Sequence, residues 1–208
     1  MNLVQILATS TSTVITHRVT TSWPWYIIRG AGFAAAAILI LLMLSGIGQA
    51  TGILYRWIEP VKMWTIHKAL GIALLVAIAV HGGFLLIDHF VHFNLVNILV
   101  PFSSHYTNGT KLFGLPLGSF GVTLGVLAMY GAVILVLSSL LWIDSKKRTW
   151  KLLHYLSYFV MAFVFIHALY VGSDLKYGLF RAVWILAIIL IVLAVVIRLW
   201  RARTAKKT

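Results

Sequence analysis

Cysteine is absent from the 208 residues, and acidic side chains are scarce: Glu59, Asp88, Asp144 and Asp174 stand against 17 lysines and arginines. The first absence excludes disulfides and thiolate metal ligands. The second produces a formal net charge of +13, although charged residues make up only 10% of the chain. Extended polar sequence is missing too. No interval between the apolar runs is long enough for a soluble catalytic domain, and there is no Gly-rich nucleotide-binding segment, so a nicotinamide or flavin site is expected on a separate partner. The opening 22 residues, MNLVQILATSTSTVITHRVTTS, lack the basic start of a secretory signal, and Ser and Thr interrupt their apolar stretch. They are expected to form an external or interfacial arm.

What fills the chain is hydrophobic sequence, 61% of it. Five apolar runs are present: Trp25 to Gly46, Thr65 to Ile87, Leu117 to Ile143, Leu152 to Val171 and Tyr177 to Leu199. Each suffices to cross a hydrocarbon core about 30 Å thick, which takes about 20 helical residues. The sequence therefore predicts an all-α integral membrane protein. A five-helix transmembrane bundle occupies residues 23–200, with the arm at 1–22 and a basic tail at 201–208.

Lys and Arg beside helix ends are retained on the cytoplasmic side. Twelve basic residues fall on one side of these runs: Arg56, Lys62, Lys68, Lys146, Lys147, Arg148, Lys151, Arg198, Arg201, Arg203, Lys206 and Lys207. Five fall on the other: Arg18, Arg29, Lys111, Lys176 and Arg181. The imbalance predicts an external amino terminus and a cytoplasmic carboxyl terminus. The charge is then a topology signal with some attraction for anionic lipid, and no nucleic acid is needed as a partner to explain it.

Four histidines carry the chemistry. His67 and His81 lie fourteen residues apart in the second run, and His154 and His167 thirteen apart in the fourth. An imidazole at membrane depth is costly unless both ring nitrogens are satisfied. Both runs cross in the same direction, so His67 and His154 share the inner level while His81 and His167 share the outer one. At the helical rise the two levels are separated by about 21 Å on one run and about 19.5 Å on the other. Two b-type haems, one per level and each clamped by one imidazole from each helix, account for this pattern. Covalent attachment needs cysteine, so the haems are held non-covalently. On an ideal helix the step of fourteen leaves His67 and His81 about 40° apart, whereas the step of thirteen leaves His154 and His167 about 140° apart. The fourth helix must therefore bend, or its two ligands must reach out from different flanks. For any single histidine a polar packing contact is the plainer reading, and for the set a histidine-lined proton channel or transporter without haem is the alternative.

Further strings accompany the histidines: WYIIRGAGFAA at Trp25 to Ala35, VPFSSHY at Val100 to Tyr106, KLLHYLSY at Lys151 to Tyr158 and HALYVGSD at His167 to Asp174. Together they make the chain similar to the ferric reductase-like transmembrane domain family. That family includes the membrane cores of NADPH oxidases, iron reductases and the haem subunit of the bacterial periplasmic methionine sulfoxide reductase system. The common six-helix form has one more helix before the first ligand helix. The resemblance implies transmembrane electron transfer in a bacterial plasma membrane. The donor would be a cytoplasmic flavoprotein reductase or a quinone, and the acceptor an external redox protein, oxygen or a ferric chelate. Iron with histidine on both axial positions has no open site, so the acceptor would be reduced at the haem edge.

The resemblance also implies that Arg29, one turn inside the outer end of the first helix, pairs with a propionate of the outer haem; snorkelling to the headgroups is its plainer role. Lys68 and Lys151 would meet inner propionates or serve only as orientation charges. In the long loop from Asp88 to Pro116, His89, His92 and His105 would dock iron or be ordinary surface histidines. The stretch FNLVNILVPF is expected to lie flat at the membrane surface over the outer haem. Trp23, Trp25, Trp142, Trp150 and Trp200 are expected to act as interfacial anchors.

Overall fold

The structure, a computed structural model, describes residues 3–107, 111–112 and 115–204, with side chains from 22 to 107 and from 117 to 204. Its helices are α1 (Leu3–Thr51), α2 (Pro60–Leu85), the short α3 (Leu95–Leu99), α4 (Leu117–Leu141), α5 (Lys147–His154), α6 (Ser157–Val171) and α7 (Gly178–Thr204). Two-residue strands β1 (Lys111–Leu112) and β2 (Leu115–Pro116) pair antiparallel ahead of α4. Five stretches are long and apolar enough to cross a membrane: Ser22–Thr51, Pro60–Leu85, Leu117–Leu141, Lys147–Val171 and Gly178–Thr204. They coincide with the five predicted runs, and the protein is an α-helical, multi-pass membrane protein. The opening arm differs in form, because residues 3–21 continue α1 as helix. Ser and Thr have modest helix propensity and do not by themselves stop a helix that is already nucleated. Lys206 and Lys207 of the basic tail lie outside the described residues.

Backbone chemistry sets the boundaries. α1 ends at Gly52, whose φ of 72° lets its N–H turn back to the Gln49 carbonyl at 3.2 Å, a conformation that any Cβ would penalise. α2 opens on Pro60, whose missing N–H is no loss in a first turn. In space α1 packs mainly against α2 and α7, and α4 against α6. The buried core runs through Leu39, Leu74, Ala132, Val160, Phe165 and Trp184. Leu186, Ile189 and Leu193 of α7 remain exposed, as expected of helices that are apolar all round and face lipid.

The fourth span is not one helix. Between α5 and α6 the backbone tightens: the N–H groups of Tyr155, Leu156 and Tyr158 donate to the carbonyls of Leu152, Leu153 and Tyr155. A residue wound this way advances about 120° instead of about 100°, so three or four of them recover about 60–80° of the phase mismatch between His154 and His167. Of the two ways to accommodate the thirteen-residue spacing, the fourth span takes a break in its helix, immediately after His154.

Candidate functional site

The outer pair is built from α2 and α6. The His81 and His167 rings stand 6.4 Å apart between centroids, at 85° to one another. His81 Nδ1 lies 2.9 Å from the Ile28 carbonyl of α1, and His167 Nδ1 lies 2.8 Å from the Gly121 carbonyl of α4. In a helix the Cβ four residues further on leans back over such a carbonyl. Those positions are Gly32 and Gly125. A Cβ on Gly32 would stand 3.1 Å from His81 Nδ1, and one on Gly125 only 2.5 Å from His167 Nδ1. Glycine therefore opens each carbonyl to its imidazole. Because a carbonyl can only accept, Nδ1 carries the proton and Nε2 keeps its lone pair for the cavity.

The inner pair follows the same plan with one insertion. His67 and His154 stand 6.3 Å apart between centroids, at 54°. His67 Nδ1 lies 2.8 Å from Ser45 Oγ, whose own hydrogen goes to the Leu42 carbonyl at 3.0 Å. On the other side Ser139 Oγ donates to the Leu135 carbonyl at 2.7 Å, accepts from Trp150 Nε1 at 3.0 Å and stands 3.5 Å from His154 Nδ1. A hydroxyl already committed as donor must accept, so the imidazole tautomer is again fixed. Only the last contact is at the limit of a hydrogen bond.

Behind this symmetry is a repeat on the two supporting helices. Ile28 and Gly32 at the outer level become Leu42 and Gly46 fourteen residues later on α1; Gly121 and Gly125 become Leu135 and Ser139 on α4. The step equals that between His67 and His81. The glycines of α2 have no such role. Of those, a Cβ on Gly71 would meet Val136, one on Gly82 would meet Ile98, and one on Gly83 would meet nothing.

Each pair opens on a cavity. The outer one, about 250 Å³, is lined by Trp25, Arg29, Gly32 and Asp174 as well as its histidines. The inner one, about 470 Å³, is bordered by Lys68, Lys147, Lys151 and Arg198, and Arg198 donates to the Tyr158 hydroxyl. The two share a wall of Leu39, Leu74, Ala132 and Val160, all buried. Lys68 and Lys151 thus sit where the sequence put them, at the inner level.

Other expectations change. Arg29 is not a cation without a partner: its Nε donates to Asp174 Oδ2 at 2.8 Å, and its Nη2 donates to Oδ1. Trp150 is no simple interfacial anchor, since it turns inward to Ser139 with its ring 5.2 Å from that of His154. Trp25 likewise lines the outer cavity and packs on Phe90. His89, His92 and His105 are exposed, and among the described residues no three His, Cys, Asp or Glu side chains gather into a metal-ion cluster. Two imidazoles per site fall short of the three or four protein ligands a zinc ion takes. A group that brings its own in-plane donors would complete such a site.

The family model described as "Ferric reductase like transmembrane component" matches residues 31–166, a span containing Gly32, His67, His81, Gly125 and His154 and stopping one residue before His167. No curated protein and no solved structure matches the chain.

Proposed function

Because the chain belongs to the ferric reductase-like transmembrane component family, we infer that it carries electrons across the membrane through two non-covalent b-type haems. His67 and His154 would hold the inner haem, and His81 and His167 the outer one. The observation that carries this reading is the spacing within the pairs. One metal ion held by an imidazole nitrogen from each helix, at the usual metal–imidazole bond length of about 2.0–2.1 Å, would need the two rings about 6 Å apart. The ring centroids are 6.3 and 6.4 Å apart.

Haem supplies the one-electron redox chemistry; the protein supplies position, axial basicity and surroundings. Hydrogen bonding at Nδ1 holds each imidazole in the tautomer that presents Nε2, and raises its strength as a ligand. Arg29 would meet a carboxylate of the outer haem as one member of its ion pair with Asp174, and both residues line that cavity. Leu39, Leu74, Ala132 and Val160 separate the two levels with an apolar layer. A proton path would need water or polar side chains there, so the layer favours electron transfer over a proton channel. The basic residues around the inner cavity support a cytoplasmic inner side, an external amino terminus and a plasma-membrane setting. The donor is then a cytoplasmic flavoprotein or a quinone, and the acceptor an external redox protein, ferric chelate or oxygen.

The test is the optical spectrum of the purified protein, oxidised and dithionite-reduced, with haem counted per chain. Two low-spin b haems are expected. A stoichiometry near one after haem supplementation would reject the two-haem reading, and no haem at all would reject electron transfer by this route. In liposomes holding only this polypeptide, NADH or NADPH should leave the haems oxidised.

A further inference from the structure

The loop between α2 and α4 neither lies flat nor stands clear of the bundle. It starts high, where Phe90 packs on Trp25 near the outer end of α1's membrane span. It then descends until Ile98 reaches Gly82, the neighbour of His81: a Cβ on Gly82 would meet Ile98 at 3.7 Å. From there it climbs back along α4 in register. Leu99 accepts from the Tyr130 hydroxyl at 2.7 Å, Phe102 N–H donates to Thr123 Oγ1 at 3.0 Å, and the Ser104 carbonyl accepts from Ser119 Oγ. Thr123 lies six residues below Leu117, a descent of about 9 Å along α4. Leu99 is deeper still, allowing for the lean of the tyrosine side chain toward the helix start.

Irregular backbone at this depth has no water to bond to and relies on protein partners. Side chains of the segment itself supply several of them. Ser103 Oγ stands 2.8 and 2.7 Å from the carbonyls of Val96 and Val100 and can give its one hydrogen to either, and Asn97 Nδ2 donates to the Ser103 carbonyl at 3.0 Å. Asn94 and Asn97 form a reciprocal cap at the start of α3. The side chains on the far face are the reverse: Val96, Leu99, Val100 and Phe102 are apolar and 45–73% exposed. Phe102 also holds φ at 65°, in the tight turn closed by the Ser103 N–H on the Val100 carbonyl. That backbone is costly for an aromatic residue, and it leaves the ring projecting from the surface.

We propose that residues 93–104 form a re-entrant segment whose Val96, Leu99, Val100 and Phe102 face insert among lipid acyl chains of the outer leaflet. Depth, the hydrogen bonds that tie the segment to itself and to α4, and an outward apolar face agree on this one occupant. Val91, Phe93, Asn97, Ile98 and Tyr106 meanwhile line the outer cavity. The segment therefore walls that cavity from the side and is itself backed by lipid, which leaves the end near Arg29 and Asp174 as the water-facing approach.

The absence of native cysteine makes the test direct. Single substitutions Val96→Cys, Leu99→Cys and Phe102→Cys are compared with His89→Cys and His105→Cys, each in liposomes containing only this protein. The cysteines are treated with a membrane-impermeant maleimide, and then spin-labelled for collision with oxygen and with a water-soluble nickel chelate. The first three should react with the maleimide at least tenfold more slowly than the two histidine positions, and should show high oxygen but low nickel accessibility. Maleimide reaction as fast as at His105→Cys would assign the face to water or to a missing protein partner and overturn the proposal. Low accessibility to both collision probes would assign it to protein packing, such as a second copy, and also overturn it. Neither readout depends on haem content.

Discussion

The two histidine pairs solve one problem with different materials. At the outer level both Nδ1 atoms reach main-chain carbonyls directly, at 2.9 and 2.8 Å, through gaps left by Gly32 and Gly125. At the inner level Ser45 and Ser139 are interposed between imidazole and helix, and Trp150 shares the second serine. An outer histidine held by backbone has no side chain whose removal would free it, but it is intolerant of added volume. An inner histidine held by hydroxyls tolerates volume and depends on side-chain chemistry. The same fourteen-residue repeat thus yields one level controlled by sterics and another by polar groups.

Removing a ligand should have the largest effect. His81→Ala or His167→Ala is expected to lower haem content from two to one per chain while leaving the inner spectrum in place; loss of both haems together would show that the levels are not independent. Crowding comes next. Gly125→Ala would place a methyl 2.5 Å from His167 Nδ1, whereas Gly46→Ala would place one 3.4 Å from His67 Cε1. Overpacking of the first kind costs about 1–3 kcal/mol. Gly125→Ala should therefore deplete the outer haem, measured by pyridine haemochrome, and Gly46→Ala should leave both. Equal depletion by the two would erase the proposed steric contrast.

Polar deletion should invert the pattern. Ser139→Ala leaves Trp150 Nε1 and His154 Nδ1 without their shared acceptor, and loss of such an outer-shell partner weakens metal binding by about tenfold or more. Inner haem affinity should fall by about that much with the outer haem unchanged, and Ser45→Ala should act in the same direction through His67. Haem titration of the apoprotein would read this. The smallest effects belong to charge. Arg29→Gln leaves Asp174 uncompensated and should lower the outer potential, while Asp174→Asn leaves Arg29 uncompensated and should raise it. Each shift is on the order of tens of millivolts, with the inner haem nearly silent. A redox titration in which both substitutions moved the outer potential the same way would remove the ion pair from the outer site.

Hydropathy and histidine spacing were enough to determine five membrane spans, two histidine-bearing segments and two levels, because apolar length and helical rise are properties of the chain alone. The same spacing called for histidines on different flanks or for a bend in the fourth span, without saying where. Only the folded chain put it after His154, where three tightened turns rotate the helix. Partners distant in sequence were beyond reach for the same reason. Arg29 and Asp174 are 145 residues apart with nothing in the sequence to join them, and the outer loop gives no sign that it dips to the level of His81. The carbonyls of Ile28 and Gly121 were least legible, because every residue has one. Which of them an imidazole can reach is decided by where two glycines happen to face it across a helix contact, and that contact exists only in the tertiary structure.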